Sequence, residues 1–167
     1  MRAVAFTGPS NSGKTTLIKK IATKLIKENK RVSIIKHDPK DKAVFDKEGK
    51  DSHTFFNTGA DVAVISPKRT TLFFHQGYSV EEVIEKFGDF DFLLVEGLKW
   101  LNLPRVGVFR GEIDLSYLDR VLAIAIDGSV KLENYEIPSK IDILDLNNID
   151  EIIRWILENA KEIKERV

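Results

Sequence analysis

The sequence predicts an α/β fold: a three-layer sandwich in which a mostly parallel sheet is covered by helices, with an antiparallel hairpin at one edge. Three observations lead to it. Residues 3–7, 91–95 and 121–126 are short, continuous apolar runs, the pattern of strands buried on both faces. Residues 14–29 instead carry Leu17, Ile21 and Leu25, with Ile18 and Ala22, at helical spacing, and put lysines on the opposite face. A strand, a glycine loop, this helix and a second strand at 31–36 follow one another directly, which makes a βαβ unit of parallel strands with a right-handed crossover.

The remaining elements follow in chain order. Residues 38–50 are polar and turn-rich and read as a long loop. Residues 52–58 suggest a short helix closed by Gly59. Residues 61–66 and 70–75 read as two strands around a turn at 67–69, the edge hairpin. Ser79-Val-Glu-Glu82 places an acid three residues after a hydroxyl, a helix-start pattern, and that helix ends near Gly88. The buried strand 91–95 delivers Glu96-Gly97 at its C-terminal end. Further strands are expected at 105–110 and 121–126, and a closing helix over 150–166.

At 167 residues the chain fits one domain spanning 1–167, large enough to bury a proper core. Lys and Arg total 26 and Asp and Glu total 26, a balance that argues against nucleic-acid binding through a broad basic field. Cysteine is absent, which excludes disulfides, thiolate nucleophiles and cysteine-ligated metals and fits a reducing cytosol. The longest apolar stretches fall far short of the roughly 20 residues that span a bilayer. The N-terminus runs straight into the glycine loop, so no cleavable apolar leader is expected. A cytoplasmic protein with neither a membrane nor a nucleic-acid partner is expected.

Gly8-Pro9-Ser10-Asn11-Ser12-Gly13-Lys14-Thr15 fits G-x-x-x-x-G-K-[ST] without a mismatch. The glycines let backbone N–H groups wrap a phosphate, and the helix from Lys14 points its N-terminal dipole at the same anion. Lys14 reaches the β- and γ-phosphates, Thr15 is placed to bind Mg²⁺, and Thr16 continues the nucleotide-binding run. With a strand before it and a helix after it, this motif narrows the α/β sheet to a P-loop NTPase-type sandwich. Such a loop needs an acid at the end of another buried parallel strand, and Glu96 sits outside the carboxyl ends of the strands, where open α/β sheets bind ligands. Lys14 and Glu96 are therefore the candidate catalytic residues, and Thr15 and Glu96 the candidate metal ligands. Asp38, in Lys36-His37-Asp38, is open to two roles: taking a metal-bound water, or ending a strand in solvent. For Gly49-Lys50-Asp51-Ser52, either Lys50 meets a phosphate or acidic ligand, or Asp51 or Ser52 caps the following helix. His37, His53 and His75 lack paired helical spacing, so no dedicated transition-metal site is expected.

Several segments in order, namely the phosphate loop at 8–15, Ile35-Lys-His37, Asp46 with Gly49-Lys-Asp-Ser52, Gly59-Ala60 and Val95-Glu-Gly-Leu-Lys99, resemble the MobB family of molybdopterin-guanine dinucleotide biosynthesis adaptors. The strand ending at Asp127 and Leu144-Asp-Leu-Asn-Asn-Ile-Asp-Glu151 extend the likeness over nearly the whole chain. Pro39 and Lys40 depart from it, replacing the polar stretch that follows I-K-H. The resemblance implies a homodimer that binds GTP with Mg²⁺, hydrolyses it weakly, and assists attachment of GMP to molybdopterin beside a guanylyltransferase. It also implies that Lys36, His37 and Asp38, together with Gly49 to Ser52, face ligand, as do Gly97 and Lys99. Guanine preference comes from the resemblance alone, since no N-K-x-D element is present. Asp127 is the candidate to accept hydrogen bonds from the base; its alternative role is a turn before Gly128.

No strong base stands out, and Arg69, Arg105 and Arg110 are the arginine-finger candidates, so slow turnover is expected. Two other readings compete. A small-molecule kinase would use the same loop, although 38–50 lacks the arginines of a phosphate lid. A carrier would hold a nucleotide-like product without hydrolysis. The 61–75 hairpin and the 105–110 strand offer edges for a dimer.

Overall fold

The computed structural model describes residues 1–163; the last part of the expected closing helix, residues 164–166, lies outside the described residues. In chain order the elements are β1 (Arg2–Thr7), α1 (Lys14–Lys27), β2 (Val32–Lys36), α2 (Asp51–Phe56), β3 (Val62–Ser66), β4 (Arg69–Phe73) and α3 (Val80–Phe87). There follow β5 (Phe92–Glu96), β6 (Arg105–Phe109), β7 (Ala123–Ile126), β8 (Asp142–Asp145), α4 (Ile149–Asn159) and β9 (Lys161–Glu162). Residues 1–37 with 89 onward form one compact unit, and residues 38–88 form another.

The first unit is built on a sheet in the order β2-β5-β1-β6-β7-β8, all parallel, with β9 antiparallel on β1. Phe6 and Lys36 both pair with Glu96, so β1, β2 and β5 end level. That register brings the loop after Thr7, the Lys36-His37 step and Glu96-Gly97 to one edge. Strand side chains alternate between two faces. Val4, Phe6, Leu94, Val106 and Val108 pack under the apolar faces of α1 (Leu17, Ile18, Ile21) and α4 (Ile152, Trp155, Ile156). On the other face Phe109, Ile124 and Ile126 meet Ile113, Leu118, Val130 and Ile141, and the cover includes 3-10 turns at Leu115–Arg120 and Leu132–Asn134.

Two expectations are corrected here. The hairpin does not extend the edge of the main sheet: among the described residues β3 and β4 pair only with each other, from Val62↔Phe73 to Ser66↔Arg69. A two-residue turn at Pro67-Lys68 lets the strands satisfy one another locally, and the antiparallel member of the main sheet is β9 instead. The closing helix ends at Asn159, seven residues short of the expected 166, because Ala160 turns extended (φ −62°, ψ 141°) and Lys161 pairs with Ala3. No helix breaker marks this point; long-range strand pairing overrides local propensity.

In the second unit, Ser79 and Glu82 form the expected reciprocal cap of α3: the Glu82 N–H donates to Ser79 Oγ at 3.2 Å and the Ser79 N–H donates to Glu82 Oε2 at 2.7 Å. Phe56 stacks on His75 at 3.8 Å between ring centroids, and the Lys86 ammonium lies 4.3 Å above the Tyr78 ring. No residue of 38–88 is buried within the chain. The N-cap of α2 is Lys50, and no side chain caps it, so neither Asp51 nor Ser52 plays that part.

Candidate functional site

The loop between β1 and α1 turns so tightly that Gly8 adopts φ +141°, and an added Cβ there would lie 2.4 Å from the Val108 carbonyl oxygen of the neighbouring strand. Only glycine fits. The first turn of α1 carries no acidic residue and its N-cap, Gly13, offers no side-chain bond. The helix N-terminus is thus uncapped by any side chain, and its orphan N–H groups and dipole can act together on an anion. Ser12 Oγ is buried at this turn without a hydrogen-bond partner, an orphan suited to a ligand oxygen or a bound water.

Lys14 folds back over the loop, donating to the Gly8 carbonyl at 3.0 Å and the Pro9 carbonyl at 2.6 Å. Burial lowers its pKa below the ordinary lysine value, Lys36 and Lys99 push the same way, and Glu96 opposes them. Thr15 Oγ1 donates to Glu96 Oε2 at 3.2 Å. A cavity of about 440 Å³ opens here, lined by Ser10, Asn11, Gly13, Lys14, Thr15, Thr16, Lys36 and Glu96. The fold therefore brings together the hydroxyl and the carboxylate that the sequence assigned to a metal, beside the lysine assigned to phosphate. Among the described residues no cluster of three or more His, Asp or Glu side chains could hold a metal alone. A Thr–Glu pair completed by phosphate oxygens and water is the donor set Mg²⁺ uses, because that ion gives up its waters reluctantly. The residues fit the ion.

Behind the site, His37 N–H donates to the Glu96 carbonyl at 3.0 Å, and its ring meets Trp100 edge-on at 5.0 Å. Gly97 and Leu98 follow with φ +87° and +46°. Leucine pays for that left-handed conformation, and the clamp that holds it is Arg105. Its Nη1 donates to the Gly97 carbonyl at 2.8 Å, and its Nη2 to those of Leu98 at 3.0 Å and Leu101 at 3.2 Å. Arg105 is 2% exposed and is spent on this loop, which corrects its candidacy as an arginine finger. The signal was available: an arginine opening an otherwise apolar strand needs internal partners. Lys99 does not line the phosphate cavity; its ammonium sits 4.4 Å over the Tyr117 ring.

Arg110 is placed otherwise. Its Nε would lie 3.2 Å from a Cβ on Gly13, so the guanidinium rests against the phosphate loop. The same Nε pairs with Asp127 Oδ2 at 3.4 Å. Asp127 Oδ1 accepts from the Ser129 N–H at 3.1 Å and from the Ser129 hydroxyl. That hydroxyl contact, more than any other, holds the Asp127 carboxyl below its usual range. Asp127 thus makes the turn that the sequence allowed for, and a base would meet a carboxylate already engaged.

Asp38, Gly49, Lys50, Asp51, Ser52 and Arg69 belong to the second unit. There Asp38 organises its own loop, with Oδ2 accepting from the Lys42 and Ala43 N–H groups, each at 2.7 Å.

Comparison with known proteins places this architecture. Residues 3–127 match the family model MobB, "Molybdopterin guanine dinucleotide synthesis protein B". A "Putative molybdopterin-guanine dinucleotide biosynthesis adapter protein" of Methanocaldococcus jannaschii is 31% identical over 166 residues, covering 96% of this chain and 62% of the relative, so the chain spans about three fifths of that protein's length. The "Molybdopterin-guanine dinucleotide biosynthesis adapter protein" of Haemophilus influenzae is 32% identical over 161 residues, covering 92% of this chain and 86% of the relative. The crystal structure of Bacillus subtilis MobB superposes with a TM-score of 0.76 at 24% identity, covering 98% of this chain and all of the other, and shares the fold. On the family model and these relatives, the chain is a member of the MobB family.

Proposed function

We propose that the protein is a GTP-binding adapter that assists the conversion of molybdopterin to its guanine dinucleotide form, acting beside a guanylyltransferase in the cytoplasm. The observation that carries the nucleotide part is the Thr15–Glu96 pair at 3.2 Å beside Lys14, beneath an uncapped helix N-terminus. Family membership carries the pathway part.

In this reading the loop N–H groups and the α1 dipole hold the β-phosphate, and Lys14 leaves the Gly8 and Pro9 carbonyls for the β- and γ-oxygens. Mg²⁺, held by Thr15 and Glu96 together with phosphate oxygens, would supply charge neutralisation at the transferring group. Glu96 is tied to Thr15 and is not a free base, which favours slow hydrolysis. Asp127 accepts the guanine edge once Arg110 gives it up. A homodimer is supported by the second unit, where no side chain is buried and Val64, Ile65 and Leu72 are exposed.

The test is calorimetric binding of GTP and ATP, with Mg²⁺, to wild type, Lys14→Ala and Asp127→Asn. GTP preference that is lost in Asp127→Asn, and affinity lost in Lys14→Ala, are expected. Equal binding of both nucleotides to wild type, or an unchanged Lys14→Ala affinity, overturns the reading. Nucleotide consumption that accelerates with a pterin acceptor would point to a kinase instead.

A further inference from the structure

We propose that a second cavity in the first unit is a binding site for a small organic phosphate, distinct from the phosphate loop. The cavity measures about 690 Å³ and shares no lining residue with the one at the loop. It opens beside the segment that crosses from β5 to β6, against residues 119–122.

Its charge is the first argument. Arg120, Lys140 and Lys161 line it, with Arg105 in its wall, against Asp119 as the single acid; Lys99 also reaches the lining but carries its ammonium over the Tyr117 ring. The chain as a whole carries 26 cationic and 26 acidic side chains, so this local excess is a feature of placement. Among the described residues no ion pair uses any of these four cations, and the Lys161 ammonium donates to the Asn102 carbonyl at 3.3 Å.

The second argument is Arg105 itself. A guanidinium this buried normally faces a carboxylate, because desolvating an unpaired charge is costly. Here its partners are three carbonyl dipoles, and nearby Arg120 adds to burial in lowering its pKa. Carbonyls ease the desolvation without cancelling the charge, so the cavity keeps a positive field from below as well as from its rim. An anion seated there relieves repulsion that the free protein carries.

The third argument concerns the body of the ligand. Leu101, Leu103, Val121 and Leu122 supply apolar wall, and Trp100 stands 68% exposed at the lining. A volume in the range of small-molecule sites, an apolar wall and an exposed indole beside several cations suit a phosphate carried on a flat ring better than a bare ion.

The experiment uses the 167-residue chain carrying Lys14→Ala, in which the phosphate loop is disabled, with GMP and inorganic phosphate as separate probes. Trp100 reports by fluorescence, Trp155 being buried under the sheet, and Trp100→Phe identifies the reporter. Saturable quenching by GMP, tighter than that by inorganic phosphate, is expected. Arg120→Glu with Lys140→Glu, both at exposed positions, should weaken GMP about tenfold or more, equal to about 1.4 kcal/mol. Wild-type titrations should then show two classes of site. No saturable GMP binding, binding unchanged in the charge-reversed variant, or binding of an acidic peptide in preference to GMP would each overturn the proposal. Failure of GTP binding at the phosphate loop would not touch it.

Discussion

Replacing Arg105 with methionine keeps much of the buried aliphatic volume and removes the guanidinium. Three acceptors lose their donors: the carbonyls of Gly97, Leu98 and Leu101, bonded at 2.8, 3.0 and 3.2 Å. The Leu98 contact is buried and the other two are partly buried, so water can re-solvate two of the three. An orphaned buried acceptor costs about 1–3 kcal/mol, and loss of a hydrogen bond to a charged group costs on a similar scale. Relief of the buried charge's desolvation works in the opposite direction. Leu98 gains by leaving its left-handed conformation, about 1 kcal/mol, at the expense of the loop's geometry. The net loss should be about 3 kcal/mol, which for a chain of this size lowers Tm by about 9 °C. Urea unfolding followed by circular dichroism measures it, and Arg105→Lys, with one compact ammonium in place of a planar fork, should fall between the two. A loss below about 0.5 kcal/mol, the scale of ordinary surface substitutions, would refute the clamp.

Three further outcomes are expected. Because burial places the Lys14 pKa below the ordinary 10.5 and bound phosphate raises it again, nucleotide binding should take up a proton. Affinity should then fall as pH rises through the free-site pKa and level off above the bound-state value; titration calorimetry in buffers of different ionisation enthalpy reads the proton directly. Thr15→Val and Glu96→Gln should each weaken the Mg²⁺ dependence of nucleotide binding, and their effects should be non-additive if both hold one ion as proposed; additive effects would separate them. Gly8→Ala should cost about 3 kcal/mol from overpacking against Val108 and from backbone strain, measured by thermal unfolding.

The legible part of the fold was the part with period and punctuation. The apolar runs became β1, β5 and β7, the helical spacing of residues 14–29 became α1, and Ser79 with Glu82 capped α3 as its pattern required. β8 and β9 were missed because Asp142–Asp145 and Lys161–Glu162 carry no continuous apolar run; partners far away in sequence make them strands. The hairpin's existence was read correctly and its place was not, since alternation within two strands says nothing about a third.

For the candidate site, the sequence by itself determined the tight glycine turn of residues 8–15 into α1, because eight consecutive residues encode its geometry locally. It also determined that an acid would end a buried strand, because a run of apolar residues leading to Glu96 is a one-dimensional pattern. Tertiary structure decided the rest. It set Glu96 against Thr15 through the register of β5 on β1, turned Arg105 inward onto carbonyls, and laid Arg110 between Gly13 and Asp127. It also gathered Arg120, Lys140 and Lys161 around one cavity in a chain of zero net charge. A composition sums charge, whereas the electrostatic field depends on distance, and only folding fixes the distances.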